Sequence, residues 1–337
     1  MAQWSAEAGL AHVTLRWESA KPKTGLQAKA RAARYDLMSE WCRQNDAPVL
    51  LTAHTLDDQA ETVLMRLART TSLDSLVGIH RLSRWDGTEL FRPLLGEKRQ
   101  DLRAHLASLG QAWIDDPSNE DERFERVRVR KAMEGLREIG ITAEGLAELA
   151  WRANEAVQGL WGATEDWVNL HVQEFETGHC VIPLKAFTEQ TEALKSRILG
   201  LLLSRYGSGK MPDPGELKLL SAWVATKGSR RTLGGAIIAL RKDHLLIGRE
   251  PRRIDPTPVA VPPAGVVLWD GRFEVRANAG SHVIPVLCVN TLPRYKNLPW
   301  FVQAGLPAIT RGNEMISVPH LNMGSGPEAV FRPRFPR

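Results

Sequence analysis

The chain has 337 residues, 43% hydrophobic and 25% charged, with a formal net charge of +5. That length and composition suit two or three domains with their own cores. The three widely spaced cysteines (Cys42, Cys180, Cys288), with no CxxC pair, exclude a disulfide framework and fit a reducing cytoplasm. No apolar run is long enough to cross a bilayer, and the opening MAQWSAEAGLAHVTLRW lacks the basic and apolar regions of a signal peptide. A soluble cytoplasmic protein is expected. The positive charge is compatible with a polyanionic partner without identifying one.

In chain order, HVTLRW (His12 to Trp17) reads as a short strand and KPKTG (Lys21 to Gly25) as a turn. Apolar residues at steps of three and four predict a helix from Leu26 to Gln44. APVLLTA is wholly apolar, as expected of a parallel strand buried on both faces, and a helix follows from about Leu56 to Ala68. ELFRPLLG (Glu89 to Gly96) reads as a further strand and loop, and EKRQDLRAHLASLG as an amphipathic helix closed by Gly110. Alternating strands and helices indicate an α/β layered sheet over residues 1–138.

The character changes near Ile141. One or two long helices are expected over Thr142 to Phe175, then a strand at CVIPLKAF, a helix ended by Gly207 and another capped near Asp213. Arg230 to Pro251 reads as a β-hairpin around a charged turn. These residues form a second domain, 139–253. The third, 254–337, starts with the proline-rich linker IDPTPVAVPPAG and continues as a small β-rich module.

The chemistry concentrates in AHTLDDQAET, where an apolar strand ends and a helix begins. One reading is structural: Thr55 as N-cap, Asp58 as the return partner of a capping box, and acids at the positive end of the helix dipole. It explains Asp57 and Asp58 but not His54, Gln59 or Glu61. A helix entered at His54 would align His54, Asp58 and Glu61 on one face, opposite Val63, Leu64 and Leu67. Ligands of open α/β sheets bind outside the carboxyl ends of the strands, where this segment lies. A cleft lined by His54, Asp57, Asp58 and Glu61 is therefore expected.

These residues, preceded by GLQAKARAARYDLM and followed by DDPSNEDERFERVRVR, resemble the tRNA(Ile)-lysidine synthase family of PP-loop ATPases. LGGAIIALRKDHLLIGREP, WDGRFEV and PAITRGNEMISVPHL resemble later parts of the same family, in order. The resemblance implies a PP-loop ATPase-type parallel sheet, then a helical and hairpin tRNA-binding domain and a β-rich tail. It implies ATP, with Mg²⁺ accompanying it, and transfer of L-lysine to C2 of the wobble cytidine of an isoleucine tRNA with a CAU anticodon. Catalysis would fall to His54, Asp57, Asp58 and Glu61, ATP phosphate contacts to Arg31, Arg34, Arg126 and Arg130, and tRNA contacts to Arg230, Arg231 and Arg249.

The family's S-G-G-x-D-S phosphate loop has no counterpart in these 337 residues. TLGGA lacks the Asp-Ser, GSGK (Gly207 to Lys210) reads as a helix end, and MGSGPEAV has no following helix pattern. The first strand and loop are therefore expected to be missing through a late start, and the chain as written to bind ATP poorly and not to form lysidine. Thr70 and Ser72 stand where the family often has glycines. Two other readings stay open: a metal-dependent phosphohydrolase ligated by His54, Asp57, Asp58 and Glu61, and a catalytically dead tRNA-binding remnant. No Cys/His cluster has zinc spacing.

Overall fold

The computed structural model describes residues 1–18, 25–69, 72–115, 120–226, 229–289, 298–312 and 314–334, with side chains omitted at 26–28. The turn at Lys21–Thr24, Thr70, the Asp116–Asn119 part of DDPSN and Asn313 of the tail motif lie outside the described residues. The chain divides into two compact units, Met1–Val157 and Gln158–Arg337.

The first unit contains α1 (Ala2–Glu7), α2 (Leu26–Gln44), β1 (Val49–Leu51), α3 (Leu56–Leu67), α4 (Leu73–Leu76), β2 (Leu82–Trp85), β3 (Thr88–Phe91), α5 (Arg99–Ser108), α6 (Glu125–Glu138) and the first half of α7 (Ala143–His171). Its sheet has the order β1-β3-β2. β1 runs parallel to β3, and β2 is antiparallel to it, so the sheet is mixed. β2 escaped the sequence reading because LSRW is short and hardly apolar. Helix α2 packs on the sheet, where Tyr35, Cys42 and Leu90 are buried and Thr88 donates a hydrogen bond to the Ser39 carbonyl.

Two expectations fail here. HVTLRW forms no strand: Ala11 to Glu18 has no regular structure and is largely exposed, having no ladder partner among the described residues. β1 is not buried on both faces either, since Val49 is 40% and Leu51 61% exposed. Its apolar composition predicted the strand but not what covers it.

In the second unit, β4 (Gln173–Phe175), β5 (His179–Pro183), α8 (Leu184–Thr188), α9 (Glu192–Tyr206), α10 (Pro214–Ala225), β6 (Arg230–Leu233), β7 (Ala236–Arg241) and β8 (His244–Arg249) follow one another. They build an antiparallel sheet of order β4-β5-β8-β7-β6. The expected hairpin is thus a three-strand meander. Gly234 and Gly235 (φ +59° and +77°) make the first turn, because a two-residue hairpin turn of this hand needs positive φ at both positions. Helix α9 is buried over its C-terminal half, with Ile198, Leu199, Leu202 and Tyr206 inaccessible, and packs with α10 against the sheet. Asp213 caps α10 with a complete capping box, and Gly207 ends α9.

A separate apolar cluster, including Trp269, Phe273, Val275, Ile309 and Val318, organises the rest. Its elements are β9 (Val259–Ala260), β10 (Val266–Trp269), β11 (Phe273–Arg276), β12 (His282–Pro285), α11 (Trp300–Ala304), β13 (Pro307–Arg311), β14 (Glu314–Ser317) and β15 (Glu328–Phe331), in sheets β10-β11-β15 and β14-β13-β12-β9. Asp270 ties this region to β8, since Arg249 and Arg272 both bond it, at 3.1 Å and 2.7 Å from their Nε atoms, and Arg334 also contacts it. All three cysteines are free; Cys42 and Cys180 are buried and Cys288 is exposed. Burial pushes the Cys180 thiol far above its ordinary value. No helix among the described residues is long and apolar enough to cross a membrane.

Candidate functional site

β1 ends at Leu51, and four residues later Thr55 caps α3. The Thr55 hydroxyl accepts from the Asp58 N–H, while the Thr55 N–H and hydroxyl both donate to Asp58 Oδ2 at 2.9 Å. Burial would raise the Asp58 carboxyl, but the Thr55 hydrogen bonds, with Arg99 and Arg126 nearby, bring it below its ordinary value. Asp57 caps a different helix: its Oδ2 accepts from the Arg99 N–H, the first of α5, at 2.7 Å. The structural reading of both aspartates therefore holds, with Asp57 spent on an element 42 residues away.

His54 is not on α3. It precedes the cap, so the expected single helical face of His54, Asp58 and Glu61 does not form. The imidazole reaches the cluster from the loop, with Nδ1 3.0 Å from Thr52 Oγ1. Burial holds His54 below its ordinary value; Asp58 opposes this, while Arg92, Arg31 and Arg126 add to it.

Glu61 is 2% exposed. Arg130 Nε donates to its Oε1 at 2.9 Å, and Arg99 Nη2 lies 3.6 Å from the same oxygen and 3.5 Å from Asp58 Oδ1. Oε2 is enclosed with no hydrogen-bond partner among the described residues. Arg126 donates to Thr62 Oγ1 at 3.4 Å. On α2, Arg31 lies over the Tyr35 ring, and Arg34 is exposed. The structure brings His54, Asp58 and Glu61 near Arg31, Arg126 and Arg130, while Asp57 turns to α5 and Arg34 faces solvent. It adds Arg99, whose local sequence carries no sign of contacts with residues 58 and 61.

Gln59 plays another part. Its amide accepts from the Ile79 N–H at 2.6 Å and donates to the Val77 and Ile79 carbonyls, and Arg66 donates to the Ser75 and Gly78 carbonyls. Gly78 has φ +69°, and a Cβ there would lie 2.6 Å from Gln59 Oε1. The glutamine is a clamp on the loop after α4.

In the second unit Arg230 and Arg231 stand exposed on β6, over the rings of Trp300 and Trp223. Arg249 does not join them. It is buried, and its donors go to Asp270 and to the carbonyls of Gly235 and Arg253. Its place at the end of the apolar β8 run was the available signal of burial.

The α/β unit that carries this strand-end cluster of carboxylates, imidazole and arginines matches, over residues 1–135, the family model of the PP-loop domain. Among similar proteins are the tRNA(Ile)-lysidine synthases of Ruegeria pomeroyi (31% identical over 97% of this chain and 78% of the relative), Rhodopseudomonas palustris (38% over 74% and 75%) and Wolbachia pipientis (30% over 91% and 74%). The chain belongs to the tRNA(Ile)-lysidine synthase family.

Proposed function

We propose that this chain is an ATP-dependent carbon–nitrogen ligase that joins L-lysine to C2 of the wobble cytidine in an isoleucine tRNA with a CAU anticodon. ATP adenylates the C2 oxygen and releases pyrophosphate. The lysine ε-ammonium gives up a proton, its nitrogen attacks C2, and AMP leaves with that oxygen. The observation that carries this reading is the grouping of His54 with Asp58 and Glu61, ringed by Arg99, Arg126 and Arg130, just beyond the end of β1. Asp58 and Glu61 hold the ammonium, and His54 accepts its proton. Arg31, Arg34 and Arg126 face the phosphates, where guanidinium forks suit oxyanions. Arg130 serves as counter-ion to Glu61, and Asp57 shapes the site from behind through α5.

Mg²⁺ enters with ATP. Asp57, Asp58 and one oxygen of Glu61 accept from N–H, hydroxyl and guanidinium donors, and none of the described His, Cys, Asp and Glu side chains are gathered as a metal-holding group. Exposed Arg230 and Arg231 track the tRNA backbone, and the buried Arg249 braces their sheet. The reaction belongs in the cytoplasm, where free thiols persist.

The test is incorporation of labelled lysine into isoleucine tRNA transcripts bearing CAU, with ATP, read as lysidine by mass spectrometry. It is run on the 337-residue chain and on a version joined to a strand and S-G-G-x-D-S loop, which should be the faster, because backbone N–H groups cradle phosphate. Product should vanish with Glu61→Gln and with His54→Ala. Absence of lysidine from both versions overturns the proposal.

A further inference from the structure

We infer that Arg99 is a positioning residue that holds the ammonium seat of Asp58 and Glu61 with its own guanidinium until lysine displaces it. The inference rests on the lysine-ligase reading above. Four features carry it.

The guanidinium lies between the two carboxylates, with the same Nη2 3.5 Å from Asp58 Oδ1 and 3.6 Å from Glu61 Oε1. Both contacts are loose beside the 2.9 Å bond from Arg130 to Glu61, so Arg99 balances charge without a tight hydrogen bond. Glu61 Oε2 is enclosed and unpartnered among the described residues, leaving an acceptor in a nearly inaccessible side chain. Asp57 fixes the Arg99 backbone N–H, so the side chain can move while α5 keeps its start.

Arg99 contacts both Asp58 and Glu61, Arg130 bonds Glu61, and Arg126 and Arg31 lie nearby. An arriving ammonium would add a further positive charge to a set already rich in guanidinium unless one withdraws. Arg99 and Arg130 are both partly exposed, 30% and 38% at their side chains, so the bonds decide: Arg99, held at 3.5 and 3.6 Å, is the one that turns to water, and Arg130, on the 2.9 Å bond, stays. A compact ammonium with three donors can then approach both carboxylates more closely than the planar guanidinium does. Arg99 thereby also keeps the buried Glu61 compensated when no substrate is present.

An ordinary structural ion pair predicts that removing Arg99 weakens lysine binding or leaves it unchanged. A placeholder predicts the opposite sign. Titration of L-lysine into the 337-residue chain by calorimetry should show Arg99→Gln binding roughly fivefold tighter than the parent, the scale of a partly exposed ion pair. L-norleucine, lacking the ε-amine, should show no gain. With Arg99→Ala, guanidinium at sub-denaturing concentration should refill the seat and return lysine affinity to the parental value, a rescue that a folding defect would not produce.

Lysine affinity in Arg99→Gln no better than in the parent, including no measurable binding by either, overturns the inference, as does Arg99→Ala without guanidinium competition. A tighter Arg99→Gln in a chain whose loop-bearing form makes no lysidine would remove the ligase reading and leave the seat. Lysidine formation without the gain in affinity would remove the seat alone.

Discussion

The two units are held together by different means. The second buries a continuous apolar core in which Ile198, Leu199, Leu202, Phe187, Ile182 and Ile247 are inaccessible, and it adds a buried ionic knot at Asp270. The first has a sparser cluster of Ala60, Val63, Ala143, Leu146 and Ala150, with Val49 and Leu51 open on its sheet. Around its site, polar clamps do the joining: Asp57 to α5, Gln59 and Arg66 to the loop after α4, and Arg92 to the His80 carbonyl. A site that needs carboxylates and guanidiniums in fixed places cannot be walled with leucines alone. The first unit gains polar geometry around its chemistry at the expense of apolar burial.

The largest expected effect falls on the knot. Arg249, Arg272 and Arg334 share one carboxylate, and burial already pushes the Arg272 guanidinium down to about 10 although Asp270 opposes it. Asp270→Ala should cost on the order of 3–5 kcal/mol in the second unit, because it strands buried cations. Thermal unfolding followed by tryptophan fluorescence would show it; a loss below about 1 kcal/mol would mean that backbone carbonyls satisfy the arginines by themselves.

The first unit should respond to polar deletions instead. Gln59→Ala removes one accepted and two donated hydrogen bonds to the 77–79 loop, and should cost about 1–3 kcal/mol. Hydrogen exchange should rise across residues 72–80. Unchanged protection there would reduce the clamp to an incidental contact.

Asp58→Asn weakens the capping box by about 1 kcal/mol, with a pH signature. The folded Asp58 carboxyl titrates below its ordinary 3.8, so the charge-dependent part of its stabilisation is fully present above that value and is lost as pH falls through the lower folded one. The stability gap between parent and variant in urea titrations should therefore narrow on acidification below about pH 4. A gap independent of pH would show that the carboxylate charge contributes nothing to the cap.

The smallest effect on stability belongs to Arg230→Gln with Arg231→Gln, near zero because both residues are exposed. Their effect should appear in tRNA binding, as a lower affinity and a salt dependence flatter by roughly one unit of slope per lost phosphate contact. Unchanged slopes would return both arginines to the ordinary solvated surface.

What the sequence disclosed follows range. The bounds of α2, α3, α5, α9 and α10 were legible because periodicity, Thr55, Gly110, Gly207 and Asp213 act within a turn or two of themselves. The cluster of His54, Asp58 and Glu61 was legible for the same reason, although the cap at Thr55 keeps His54 off the helix. The misses depend on distant partners. HVTLRW has strand composition and no strand beside it among the described residues, β1 is apolar but open, and Arg249 meets a carboxylate 21 residues away. Arg99, 38 and 41 positions from its two carboxylates, could be found only once the chain was folded.

The cysteines turn the contrast between the units into a clock. Cys288, exposed, should react at once with a thiol reagent, giving a native labelling handle without engineering. Cys42, under the sparsely packed sheet, and Cys180, inside the deep core, can react only when their surroundings open. Mass spectrometry of quenched samples would then time the opening of each unit in one undivided chain, and Cys42 should be modified well before Cys180.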